Sequence, residues 1–142
     1  MINTFLAPRT TSSSVNFASL FLRLGFGLMM MTHGYSKLTN FEGIAPKFMD
    51  FLGLGGTVSL GLTVFAELVC ALLVALGFAT RLTVIPLIIA MCVAVFVVHG
   101  SDPLSSKELA ISYLVAFSAI LFMGAGKFSL DAVLFGKKSD RY

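Results

Sequence analysis

"LFLRLGFGLMMMTHGYSKL", residues 20–38, decides the fold. It reads as an apolar helix, yet it carries Arg23 near its start and His33 and Lys37 near its end. Such a segment belongs either in a large buried core or in lipid, and the three polar residues mean something different in each.

Composition selects lipid. The chain has 142 residues, 57% of them hydrophobic and 12% charged, against about 25% charged in an ordinary soluble domain. A water-soluble domain of this size needs far more polar surface. The net charge of +3 is dispersed, with no basic cluster or aromatic–basic interleaving, so a nucleic acid is not an expected partner. Cys70 and Cys92 lie inside apolar runs and form no CxxC, so they read as small buried hydrophobes.

Four apolar segments stand out, at residues 15–34, 57–78, 82–99 and 109–126. Each has the ~20 residues that cross a hydrocarbon core of about 30 Å. None shows the alternation of a membrane strand. The expected fold class is therefore all-α, an integral membrane four-helix bundle over residues 15–130. Residues 1–14 and 131–142 are expected to be cytoplasmic segments, and the first lacks the apolar stretch of a cleavable signal peptide. Residues 41–56, "FEGIAPKFMDFLGLGG", read as a short amphipathic helix on the membrane surface, ended by Gly53, Gly55 and Gly56. Pro86 is expected to kink the third span. Four crossings put both termini on one side, with Arg9, Arg81, Lys127, Lys137, Lys138 and Arg141. Lys37, Lys47 and Lys107 fall on the other, so the positive-inside rule makes the terminal side cytoplasmic.

The polar residues within the spans are the candidate site. Counted from the cytoplasmic helix ends, Arg23 lies ~12 Å deep and Glu67 ~16 Å deep. A lone charge there costs at least ~3 kcal/mol. Either the two form an intramembrane ion pair, structural or catalytic, or Arg23 snorkels and Glu67 is protonated. At the outer ends, His33 and His99 each precede a glycine ("THG", "VHG"), Lys37 follows, Glu108 opens the fourth span, and Tyr113 sits one turn deeper. At least three of these five are expected to line one outer-mouth polar pocket walled by Met30, Met31, Phe96 and Val97, of the kind that takes a small molecule. The competing reading is interfacial anchoring at helix ends. Two histidines and a glutamate form a conceivable ligand set, but no HxxxH or HExxH spacing supports it and no metal is expected.

These residues resemble the DoxX family of small four-helix bacterial membrane proteins. The likeness rests on "RLGFGLMMMTHGYSKL", on Glu67 within "FAELVCALLVALGFATR", on "VVHG", on Glu108, and on "GAGKFSLD" at residues 124–131. Where the family usually reads Gly-Pro-Gly, this chain has Gly124-Ala125-Gly126. The resemblance implies a multi-pass protein of the bacterial inner (plasma) membrane, associated with a membrane oxidoreductase and a quinone-linked redox system, with a quinone as the implied cofactor. Members are similar to the small subunit of a thiosulfate:quinone oxidoreductase, and others are linked to thiol-redox stress complexes. No nucleotide-binding glycine pattern, CxxC or CxxCH accompanies the residues, so the sequence shows no redox-cofactor motif of its own.

Three functions compete. A redox subunit would admit a lipophilic carrier between helices and meet it with polar groups. A non-catalytic accessory subunit would pack apolar faces on a larger membrane complex or on further copies of itself. A small-solute carrier is weakened by only four spans and no evident inverted repeat.

Overall fold

The computed structural model describes residues 12–136. Six helices carry the fold: α1 (Ser13–Thr39), α2 (Phe41–Ile44), α3 (Gly56–Leu76), α4 (Thr80–Val98), α5 (Leu104–Met123) and α6 (Leu130–Phe135). There is no strand among the described residues. Helices α1, α3, α4 and α5 are each long and apolar enough to cross a membrane. The chain is an all-α membrane bundle. The end carrying Ser13 and α6 is called here the terminal face, and the end carrying residues 40–55 and 99–103 the loop face. The expected N-terminal segment, apart from residues 12–14, lies outside the described residues, as does the second half of the expected tail, residues 137–142.

Several bounds differ from those expected, for local reasons. Helix α1 runs on through His33-Gly34 to Thr39, so Lys37 belongs to a helix rather than a loop. Gly34 does not break α1 because it serves a packing contact. A Cβ there would lie 2.8 Å from backbone atoms of Glu67 and Leu68. One heptad earlier, Gly27 meets Ala71 and Ala75 at 3.1 Å in the same sense. Small residues let membrane helices approach closely, and these two set the antiparallel register of α1 on α3. The core beside them is built by Met30, Val74, Leu87, Tyr113, Phe117 and Ile120.

The loop-face segment also departs from expectation. Helical structure occupies Phe41–Ile44 and a 3-10 turn at Ala45–Lys47, with Pro46 in its opening positions. Residues 48–55 are a folded-back turn with positive φ at Leu52, Gly53 and Gly55. Phe48 packs with Phe41 and Ile44 against Ala45, Leu60 and Val64. A Cβ on Gly56 would collide with the carbonyl oxygens of Ala45 and Phe48, so the glycine holds this turn onto α3.

Two membrane helices widen locally into π-helix, at Phe65–Cys70 in α3 and Ala94–Val98 in α4. Such stretches are rare and concentrate at functional sites. Pro86 lies within α4, and the α-helical part runs past it from Thr80 to Val93. Cys70 and Cys92 are both free.

Candidate functional site

At the terminal face, Arg23 is completely buried. The expected Arg23–Glu67 pair does not form. Arg23 Nη1 donates to the Ala75 carbonyl at 3.3 Å and Nη2 to the Phe128 carbonyl at 2.6 Å. Ala75 O is among the last carbonyls of α3, which have no partner within the helix, so Arg23 caps the negative end of α3. The physical reason is the glycine register. It sets Arg23 opposite Gly77, where a Cβ would run into the guanidinium. Glu67 lies ten residues before Gly77, ~15 Å back along α3 by helical rise. Depths counted from helix ends matched only because the ends of α1 and α3 were assumed level, and they are staggered.

The rest of this corner is a lock. Gly77 is left-handed, and the Phe78 N–H returns to the Leu73 carbonyl at 2.9 Å, which closes α3. The buried Asp131 accepts the N–H groups of Ala79 (2.6 Å) and Thr80 (2.9 Å) at the start of α4. Ser129 caps α6, accepting from the Ala132 N–H, and Ser19 Oγ donates to the Gly124 carbonyl. "GFATR" and "GAGKFSLD" are thus two halves of one contact. The sequence reading missed this. The visible signal was a Ser-Leu-Asp after a glycine turn, a cap in search of a helix start.

The loop-face half holds a cleft of about 470 Å³ between α3 and α4. Its walls include Leu62 and Phe65 of α3 and Ile89 of α4, with Phe48 and Phe51 as a roof. Leu62, Phe65 and Ile89 are each about half-exposed, so the cleft opens sideways, where lipid would be. Both π-helical stretches contribute to it, Phe65, Ala66 and Glu67 from one and Ala94 and Val98 from the other. Its polar groups are chiefly Lys37, Glu67 and His99. Lys37 Nζ donates to Glu67 Oε2 at 2.5 Å, and Glu67 is 4% exposed. Helical side chains lean toward the N-terminus, so Lys37 reaches back down α1 to the level where Gly34 touches Glu67. This charge-assisted bond relieves the cost that the sequence reading assigned to Arg23. His99 ends α4, and its Nδ1 lies 2.7 Å from Asp102 Oδ2.

The five outer-mouth residues do not converge as expected. Lys37 and His99 line the cleft. Tyr113 is buried in the core, edge-on to His33 (5.8 Å between ring centres) and Phe26 (5.6 Å). His33 is itself exposed, and Glu108 is exposed at the start of α5. Neither lines the cleft: His33 lies on the part of α1 that meets Tyr113 of α5, and Glu108 is on α5 itself. The expected walls also change: Phe96 and Val97 point outward, at 70% and 61% exposure, and Met30 is in the core. Among the described residues, no three His, Cys, Asp or Glu side chains are grouped to hold a metal.

A four-helix membrane bundle with a lateral apolar cleft, closed at its polar end by a lysine–glutamate pair, defines a small multi-pass membrane protein. Residues 18–100, from early α1 to the glycine after His99, match the DoxX family. The chain belongs to that family. The matched region contains every cleft residue named above and Arg23, and it stops before Glu108 and the 124–131 lock. No curated protein and no solved structure matches the chain.

Proposed function

We propose that the protein is an inner-membrane subunit of a quinone-linked redox system, and that the cleft between α3 and α4 takes the lipophilic carrier from the bilayer. The observation that carries this reading is the cleft itself. It lies within the 300–1,000 Å³ usual for small-molecule sites, is apolar along its walls, and ends on a few convergent polar groups. A ring with polar substituents would lie among Phe48, Phe51 and Phe65, and its substituents would meet Lys37, Glu67 and His99. Arg23 is structural in this reading, and the terminal face is cytoplasmic, which sets the cleft toward the outer leaflet.

The experiment is photolabelling of the purified chain in lipid nanodiscs with an azidoquinone, followed by peptide mapping. Label is expected on peptides of α3 and α4 containing Phe65 and Ile89, suppressed by excess unlabelled short-chain quinone. Label spread evenly over all lipid-facing helices, with no competition, would defeat the proposal. An inert chain that copurifies with a stoichiometric large partner would instead make it an accessory subunit.

A further inference from the structure

We propose that Asp102 is a positioning residue that holds His99 with its Nε2 as a hydrogen-bond acceptor for the cleft, so that the site selects a head group bearing a hydroxyl. This rests on the reading of the cleft as a ligand site. A neutral imidazole has one N–H and one bare nitrogen, and the partner of one nitrogen decides the state of the other. Asp102 Oδ2 lies 2.7 Å from His99 Nδ1. A carboxylate can only accept, so it keeps the hydrogen on Nδ1 and leaves Nε2 bare. His99 lines the cleft, and Nε2 is the one ring nitrogen Asp102 leaves for it.

The dyad is built into the fold. The Asp102 N–H donates to the His99 carbonyl at 3.0 Å, so backbone and side chains close the same turn. Gly100 within it has no room for a Cβ beside the Phe96 carbonyl. Lys107 Nζ pins the turn from α5 through the Gly100 carbonyl at 3.1 Å. The other polar end of the cleft also holds an acceptor. Glu67 is an acceptor, and the Lys37 ammonium gives one of its three N–H groups to it. At the His99 end the cleft therefore faces its occupant with an acceptor, and a phenol-like O–H satisfies it where an ether or a ketone leaves Nε2 unpaired. In a quinone-linked system, this is the reduced form of the carrier.

The test uses the full chain in nanodiscs at pH 8.5 and a matched pair of probes, 4-nonylphenol and 4-nonylanisole, corrected for partition into empty nanodiscs. The wild-type chain is expected to prefer the phenol roughly tenfold, the worth of one hydrogen bond. Asp102→Asn is expected to cut that ratio to about twofold while anisole binding stays as it was, since an amide can face Nδ1 with either end. The ratio is the informative readout, because a merely loosened turn would weaken both probes together. A ^15N histidine spectrum is expected to show the bare-nitrogen signature at His99 Nε2 in the wild type and its loss in Asp102→Asn. An unchanged ratio in Asp102→Asn, or a wild type indifferent to the hydroxyl, overturns the role of Asp102 and leaves the cleft reading standing. Failure to bind either probe overturns both.

Discussion

Glu67 and Arg23 are two buried ionic groups with different remedies. Glu67 is partnered by one flexible lysine, whereas Arg23 is held by backbone carbonyls at two points. Removing a partner should therefore expose different weaknesses. Lys37→Met leaves Glu67 an uncompensated carboxylate among apolar walls, and it is expected to cost about 2 kcal/mol, less than for a wholly buried pair because Lys37 is partly exposed. Lys37→Met/Glu67→Leu should regain most of that in a thermal unfolding series, and a double variant no better than the single one would show that the pair is not coupled. The need for partners was legible at both residues, since charges within apolar spans require them. The choice of partner was not. It depends on which residues of α1 and α3 are level, and that is set by how closely Gly27 and Gly34 let two backbones approach. Counting along each helix separately cannot reveal a stagger between them.

At the scale of elements, the glycines of α1 are not equivalent. Gly25 faces open space and Gly34 faces backbone atoms at 2.8 Å. Gly34→Ala must push α1 and α3 apart and is expected to cost ~1–3 kcal/mol, as overpacking does. Gly25→Ala should be neutral or slightly stabilising, since alanine is the better helix former. Comparable unfolding midpoints for the two variants would refute the close approach. If Gly34→Ala still folds, the Lys37–Glu67 bond should be the first contact to suffer, because Gly34 sits at the level of Glu67. The lock at the terminal face makes a second expectation. Asp131→Ala leaves the Ala79 and Thr80 N–H groups without their acceptor at the start of α4, worth about 2 kcal/mol. Hydrogen exchange should then accelerate at the first turn of α4 and at α6, while α5 stays protected. The four spans were legible in the sequence because twenty apolar residues in lipid have few alternatives to a helix. The lock was not, because it joins residues some fifty positions apart in the chain through hydrogen bonds that no periodicity encodes.

For the whole molecule, the distribution of Lys and Arg sets which way the bundle is expected to face. Six Lys and Arg were assigned to the terminal side and three to the loop side, with Arg9, Lys137, Lys138 and Arg141 outside the described residues. One of these assignments shifts once the contacts are known. Lys37 is tied to Glu67, so it no longer acts as a free cation of the loop face. Arg23 lies within a span and counts for neither face, since it is buried and tied to the carbonyls of Ala75 and Phe128. Discounting Lys37 increases the bias that orients a membrane protein with its positive side inward. Single cysteines test it in a background carrying Cys70→Ser and Cys92→Ser. In intact cells, a membrane-impermeant maleimide is expected to label Lys107→Cys and to leave Arg141→Cys untouched until the membrane is permeabilised. Labelling of Arg141→Cys in intact cells would invert the bundle. The cleft would then open toward the cytoplasmic leaflet, and any carrier it holds would be met by Lys37, Glu67 and His99 from the inner side.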